Sequence, residues 1–429
     1  MSNKINVLVF PAGEINSIEL HDSLSTCVNI NLFGASSIDR HGEYVFKNYI
    51  SGVPFIDAPD FIERFNEIID QNKIDLVFPT HDTIALFFSE NADKIHAKII
   101  VADRKTAEIC RDKEKTYDEF KDFDFIPEIY TKYTKIDRFP VFIKPRKGQG
   151  GVGAKLIQSE NDLPFDINLM DYVICEYLPG EEYTVDCLTD KNGKLIYVSP
   201  RSRKRLLAGV TVSGRTEELT PEIKFIADTI NNKLSFMGLW WFQIKKDADG
   251  KWKLMEISTR IAGTMCLTRA KGVNLPLLSV YIAMGYDVEV HPNNYQVQVD
   301  RTLISRYKIN HDYETIYIDL DDTIIINGEI NLNIIRFIYQ CFNKKKKIIL
   351  LTKHDDENVY ETLNKYNISD KLFHEIIQIP NESRKSEFIE NKNAIFIDNS
   401  FIERKEVYEK HKIPVFDVDG IEILLDWRC

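Results

Sequence analysis

Lys144 closes an apolar run, Phe139 to Ile143, and is followed by glycines at 148, 150, 151 and 153. A lysine on a strand supplies a fixed positive charge, and a loop without Cβ atoms lets backbone N–H groups close on a polyphosphate. Alone, such a loop is equally a hairpin turn, so its weight depends on the residues downstream. There, Val173 to Pro179 (VICEYLP) runs into Gly180-Glu181-Glu182. The end of that strand exposes backbone donors and acceptors that suit an adenine edge, with Glu176 and Glu182 as acceptors for the amino group and the ribose hydroxyls. GLWWFQI (238–244) and WKLMEI (252–257) flank a charged turn and read as a hairpin, with Gln243 and Glu256 on its two arms. Oxygen ligands facing a triphosphate are what magnesium requires, although a Met-Glu-Ile carboxylate alone is more often a solvated strand edge.

A second set of chemical residues lies near the C-terminus. The apolar stretch TIYID ends in Asp319-Leu320-Asp321-Asp322-Thr323, a run at 347–351 ends at Thr352, and a run at 394–397 ends at Asp398-Asn399. Arg384-Lys385-Ser386 precedes the last of these. Parallel strands would bring these tips to one sheet edge. The segment Pro200 to Arg205 is the densest cationic stretch of the central region. Paired arginines there, Arg201 and Arg203, suit planar recognition of carboxylates and phosphates, against the plainer reading of a solvated strand edge.

The elements that must carry these residues emerge from the hydrophobic pattern. Strand-like runs at 5–10, 27–33, 75–78 and 98–102 alternate with helical stretches such as the amphipathic 61–71. That alternation predicts an open parallel sheet over residues 1–105, with ligand loops at 11–16 and 79–82. Gly13 lacks the partners of a G-x-G-x-x-G fingerprint, which argues against a dinucleotide site. Asp112 to Thr116 (DKEKT) opens a helix, and residues 292–312 are polar, mixed and read as a junction. Helical stretches at 332–342 and 358–366 support a second parallel sheet.

Composition bounds the whole. With 429 residues, 44% hydrophobic and 28% charged, the chain can bury two or three cores. The net charge of -11 and the scatter of basic residues, apart from Lys344 to Lys347, exclude a nucleic-acid stripe. Seven cysteines without a C-x-x-C pair argue against a zinc knuckle or a disulfide framework. No apolar stretch approaches the roughly 20 residues of a membrane helix, so the expectation is a cytoplasmic protein with no membrane partner.

The ordered series DKEKT, FIKPRKGQGGVG, CEYLPGEEYTVD, WFQI, LMEISTR and AKGVNLP resembles the ATP-grasp superfamily, nearest its carbamoyl phosphate synthase-like branch, over about residues 1–290. The resemblance implies ATP and Mg2+ (or Mn2+) as cofactors. It puts Lys113 and Lys144 on the phosphates, Gly148, Gly150, Gly151 and Gly153 in a lid, Glu176 and Leu178 at adenine, and Glu182 at ribose. Gln243 and Glu256 match its metal-bridging pair, and Arg260 its transferred-phosphate contact. Where the family has E-x-N-P-R this chain has Glu256-Ile257-Ser258-Thr259-Arg260, which leaves Ser258 as a substitute metal ligand. Neither the glutaminase nor the tandem duplication of a carbamoyl phosphate synthase is present, so its overall reaction is not implied. The implied chemistry is acyl phosphate formation from a small-molecule carboxylate, then displacement by an amine.

Residues 313–429 resemble the haloacid dehalogenase-like phosphatases. That likeness implies Asp319 as nucleophile, Asp321 as general acid and base, Thr352 and Lys385 on the phosphate, and Asp319, Asp321 and Asp398 at magnesium. Asn399 stands where a second acid is common. The span from Asp321 to Thr352 leaves no room for a large cap, so the site is open to a phosphorylated small molecule. The expected fold is therefore α/β: a pre-ATP-grasp parallel sheet (1–105), an ATP-grasp α+β domain (106–300), a linker (301–312) and a Rossmann-like haloacid dehalogenase-type domain (313–429). The expected function is a bifunctional ligase and phosphatase, with homo-oligomerisation left open. Its rivals are a phosphatase whose ATP-grasp region only binds nucleotide, and a non-enzymatic nucleotide sensor.

Overall fold

Val7, Leu8, Val9 and Phe10 are all buried, so the first strand is covered on both faces and belongs in the middle of its sheet. In the structure, a computed structural model describing residues 4–130, 135–148, 150–164, 168–207, 209–354 and 358–428, that is its position. Gln149 of the glycine-rich stretch and Cys429 lie outside the described residues. Strands β1 (Ile5–Phe10), β2 (Ile30–Ala35), β3 (Asn48–Ile50), β4 (Leu76–Pro79) and β5 (Lys98–Ile99) form a parallel sheet in the order β3-β2-β1-β4-β5. The second strand starts later than residue 27 because Cys27 and Ile30 are tied into the turn that leaves the preceding helix. Helices α1 (Ile15–Leu24), α2 (Phe61–Asn72) and α3 (Asp82–Glu90) make the crossovers. Helix α2 buries Phe61, Phe65 and Ile69, one residue per turn along a single stripe, and ends where Lys73 turns left-handed at φ 51°.

Residues 1–303 form one compact unit and 304–428 another. A boundary near 105 does not separate two independent cores. Val7, Leu20, Leu32 and Phe78 share one hydrophobic cluster with Leu239, Trp241, Ile261, Leu275 and Val280. Helices α4 (Arg104–Arg111) and α5 (Lys113–Glu119) follow the first sheet, and the Asp112 carboxylate caps α5 by accepting from Glu114 N–H.

Three further sheets complete the first unit. Strands β6 (Ile129–Tyr130), β7 (Val141–Pro145), β8 (Lys155–Ile157) and β9 (Tyr172–Glu176) pair in the order β6-β9-β7-β8. Strands β10 (Glu182–Thr189), β11 (Leu195–Ser202), β12 (Arg205–Leu207), β13 (Val210–Arg215), β14 (Gly238–Lys246), β15 (Trp252–Ser258) and β16 (Gln298–Asp300) form β11-β10-β14-β15 and β12-β13-β16. Part of the stretch expected to be a junction is therefore strand. Helices α6 (Pro221–Lys233), α7 (Cys266–Ala270) and α8 (Leu275–Ala283) accompany these sheets. The two-residue period of β14 explains its job: Trp240, Phe242 and Ile244 enter one hydrophobic cluster, while Trp241, Gln243 and Lys245 line a cavity on the other face.

The second unit is built on a five-stranded parallel sheet. Strands β17 (Thr315–Ile318), β18 (Ile325–Ile326), β19 (Glu329–Ile330), β20 (Lys347–Thr352), β21 (Glu375–Gln378), β22 (Ala394–Ile397) and β23 (Val415–Phe416) occur in chain order, and the sheet reads β21-β20-β17-β22-β23. The small β18-β19 ladder directly follows the Asp319 to Thr323 stretch. Helices α9 (Leu332–Asn343), α10 (Val359–Lys365) and α11 (Phe401–His411) belong to this unit. Ile316 and Ile318 feed one core and Tyr317 the other, so both faces of the central strand are covered.

Candidate active sites

A cavity of about 510 Å³ opens in the first unit where the sheets meet. Lys113, Lys144, Gly148, Gly150, Gly151, Glu182, Arg201, Arg203, Gln243, Glu256 and Arg260, all anticipated from sequence, contribute to its wall. The loops after β1 and β4 also reach it, through Glu14, Asn16, Thr80 and His81. Strand pairing sets Gln243 directly opposite Glu256. Lys113 Nζ lies 3.8 Å from Glu256 Oε2 and donates to Gly148 O at 3.2 Å. Burial lowers the Lys113 ammonium from its ordinary value and Lys144 adds to this, while Glu256 opposes it. An anion placed between the two lysines would relieve that cost.

Lys144 is buried and donates to Tyr117 Oη at 2.6 Å and to Met255 O at 3.4 Å. Gly209 has φ +77°, and a Cβ there would stand 1.9 Å from Gly150 O. Only glycine fits, and the close approach seats the glycine-rich loop against the turn between β12 and β13.

Several anticipated residues stand differently. Glu176 and Leu178 do not line the cavity: Glu176 Oε1 accepts from Glu128 N–H at 2.9 Å, its other oxygen is 3.7 Å from Arg138, and Leu178 is buried. Gly153 also lies off the wall, packed against Pro145. Ser258, two residues beyond Glu256 on β15, donates its hydroxyl to Asp82 Oδ1 at 2.8 Å, which ties this side chain to the start of α3. Arg201 is 2% exposed, with its fork filled by Asp186 at 2.9 Å on both arms. A guanidinium that deeply buried needs its own carboxylate, which overrides the reading of an arginine open to substrate. Arg203 pairs with Glu182 at 2.8 Å, and Glu182 also faces Lys245 at 3.6 Å. Asp82, which the sequence offered only as the end of the 79–82 loop, accepts from Arg260 at 2.8 Å while Arg260 lies 5.2 Å over the Trp241 ring, a pairing that sequence reasoning missed. Its signal was its place just past β4, in a loop that turn chemistry alone accounts for.

A family model described as ATP-grasp in the biosynthetic pathway with Ter operon matches residues 168–303. Among solved structures, the biotin carboxylase domain of Hydrogenobacter thermophilus 2-oxoglutarate carboxylase, in complex with MgADP, ADP and bicarbonate, superposes with TM-score 0.56. It is 18% identical and covers 69% of this chain and 74% of that one. The chain contains an ATP-grasp fold. Two curated relatives are the 3-methyl-D-ornithine--L-lysine ligase of Methanosarcina barkeri, 24% identical over 36% of this chain, and the carbamoyl-phosphate synthase of Methanobrevibacter smithii, 26% identical over 44%. The matches span 40% and 56% of those relatives' own lengths. Beside its ATP-grasp fold the chain carries the second parallel sheet, at whose edge another polar cluster forms.

In that cluster Asp319 follows β17, Thr352 ends β20 and Asp398 follows β22, three neighbouring strands. Lys385 Nζ, in a short 3-10 turn, lies 2.7 Å from Asp319 Oδ1 and 2.6 Å from Asp398 Oδ2. Burial pushes the Asp319 carboxyl up, Lys385 pulls it down, and the nearby Asp398 adds to the rise. The Thr352 hydroxyl is fully buried and has no hydrogen-bond partner among the described residues. Asp321 Oδ2 lies 2.7 Å from His354 Nδ1, a contact that the sequence pattern does not announce. Asn399 donates its backbone N–H to Thr323 Oγ1, so this position contributes through its main chain. Among the described residues no group of three His, Cys, Asp or Glu is spaced as a preformed metal cage.

Proposed function

We propose that the first unit is an ATP-dependent carboxylate–amine ligase. The observation that carries it is the pairing of Gln243 with Glu256 across one hairpin, facing Lys113, Lys144 and the glycine-rich loop in one cavity. Lys113 and Lys144 would hold ATP phosphates, Glu182 would reach the ribose, and Glu256 with Gln243 would hold Mg2+. Two hard oxygen donors are too few for a protein cage and fit a magnesium ion that takes its remaining ligands from phosphate and water. Bound there, the ion would neutralise charge on the transferring phosphoryl group. The carboxylate oxygen of one substrate forms a bond to the γ-phosphorus, the bond to ADP breaks, and an amine then displaces phosphate from the acyl phosphate. Arg260, held by Asp82 and Trp241, would meet the charge that develops. The relatives named for a lysine ligase and a carbamoyl-phosphate synthase support this class of chemistry. A panel of carboxylates and amines, with products separated by nucleotide chromatography, tests it: ADP and phosphate are expected, and AMP with pyrophosphate refutes it.

A second activity is favoured by the orphaned Thr352 hydroxyl beside the Asp319–Lys385–Asp398 cluster. A buried hydroxyl without a partner is costly unless a ligand oxygen completes it, and a phosphate oxygen would do so. We read residues 313–429 as a phosphatase domain acting through an aspartyl phosphate, with Asp319 and Asp398 as the carboxylates that fit Mg2+. The ion would cancel repulsion between the Asp319 carboxylate and the phosphate. On this reading Asp319 attacks phosphorus and Asp321 protonates the leaving oxygen.

A further inference from the structure

We propose that His354 is a positioning residue that aims the Asp321 carboxyl at the leaving group, an inference that rests on the phosphatase reading of the second unit. His354 follows Thr352 by two residues and is 9% exposed. Its ring is held at both ends, with Nδ1 at 2.7 Å from Asp321 Oδ2 and Nε2 at 2.7 Å from Thr362 Oγ1 on α10. A carboxylate only accepts, so the nitrogen facing ionised Asp321 carries the proton. In the Nδ1–H tautomer Nε2 is an acceptor, which the Thr362 hydroxyl satisfies by donating. The backbone behind the ring is pinned as well. Gln378, at the end of β21, donates to His354 O at 3.3 Å and accepts from Val359 N–H at 3.2 Å.

Asp321 needs such support because its side chain is 49% exposed, whereas the His354 side chain is 4% exposed. A half-exposed aspartate samples several rotamers, and a short bond to a fixed, buried ring selects one. The same bond commits Oδ2, so the carboxyl proton belongs on Oδ1. In the first half-reaction the Asp319 carboxylate bonds to phosphorus, the ester P–O bond breaks, and the Oδ1 proton passes to the leaving oxygen. In the second, a water oxygen bonds to phosphorus, its proton returns to Asp321 Oδ1, and the bond to Asp319 breaks. His354 keeps its proton in both.

The leaving group tells this role from a merely structural one. Nitrophenolate departs without help from an acid, whereas phenolate needs a proton, and the two esters are nearly the same size. With magnesium present, His354→Ala should lower kcat/KM for phenyl phosphate about tenfold more than for p-nitrophenyl phosphate. His354→Asn, whose amide can donate in place of Nδ1, should restore part of that difference. If His354→Ala fails to fold by circular dichroism, Thr362→Val, which removes the donor behind the ring, should show the same leaving-group bias to a smaller degree. Equal losses on both esters, or none, overturn the role of His354 while Asp319-dependent hydrolysis stands. A parent protein that hydrolyses neither ester, or hydrolysis that survives Asp319→Asn, overturns the phosphatase reading and this proposal with it.

Discussion

Asp82 and Arg260 stand 178 positions apart in the chain and meet at 2.8 Å, joining the start of α3 to the segment after β15. Asp82 holds Ser258 as well, so one carboxylate at the start of α3 fixes two residues beside Glu256. Asp82→Asn should lower kcat for ADP release while leaving ATP affinity within about twofold, because no phosphate contact is assigned to Asp82. Calorimetry beside a steady-state assay would check it, and an equal fall in both quantities would contradict it.

The same ion pair has a pH signature. Burial would raise the Asp82 carboxyl, but the Arg260 guanidinium and the Ser258 hydroxyl outweigh burial and hold it at about 2. A depressed native pKa contributes stability above the unfolded value of about 4, and that contribution is lost as pH falls through the native value. The parent should therefore exceed Asp82→Asn in stability by on the order of 2 kcal/mol near neutral pH, with the gap narrowing between about pH 4 and pH 2. Urea denaturation at several pH values measures it, and a gap that ignores pH speaks against the pair.

Gly209 offers a test of the glycine-rich loop from outside that loop. A methyl group at 209 would collide with Gly150 O in a backbone conformation that already disfavours side chains. Gly209→Ala should weaken ATP binding about tenfold, equivalent to about 1.4 kcal/mol. Gly193→Ala serves as the control, since Gly193 has φ +81° but a methyl group there would meet nothing within 4 Å. It should cost stability and leave ATP affinity unchanged; matched losses of affinity in both variants would remove the loop contact from the explanation.

Lys144 is a cation whose bonds run to a phenol oxygen and a backbone carbonyl, with Glu256 as the carboxylate acting on its charge. Lys144→Met keeps most of the volume and removes the charge. ATP affinity should fall at least about tenfold, the scale of a lost charge-assisted hydrogen bond. Titration calorimetry with magnesium reads it, and unchanged affinity would take Lys144 off the phosphates.

What was legible in the sequence came from local pattern. The hairpin reading of GLWWFQI and WKLMEI put Gln243 and Glu256 on two facing arms, and the apolar strands ending in Asp319, Thr352 and Asp398 placed their tips at one edge, because both inferences need only local strand pattern and simple strand pairing. The partners were not legible. Arg201 reads as an open cation until Asp186, fifteen positions away, fills its fork from the adjacent strand of an antiparallel pair. Asp82 and His354 act through contacts spanning 178 and 33 positions, which no spacing rule reaches. The packing across the expected division near residue 105 was hidden for a related reason: helix α8 packs its apolar side into the core of the first sheet, and sequence distance hides that sharing.

The two sets of chemical residues belong to different compact units, with Glu256 in residues 1–303 and Asp319 in residues 304–428. Each has its own cation, since Lys113 lies 3.8 Å from Glu256 and Lys385 lies 2.7 Å from Asp319. The two chemistries should therefore be separable. Asp319→Asn replaces a carboxylate oxygen of the proposed nucleophile by an amide, and should abolish magnesium-dependent hydrolysis of p-nitrophenyl phosphate while ADP release with a competent carboxylate and amine continues. Glu256→Gln should do the reverse, because it removes charge from the proposed ATP metal site alone. Both variants would be assayed for both activities in one buffer, with circular dichroism to confirm the fold. Should either substitution silence both reactions in a folded protein, the sites are coupled and the picture of two independent enzymes on one chain is wrong.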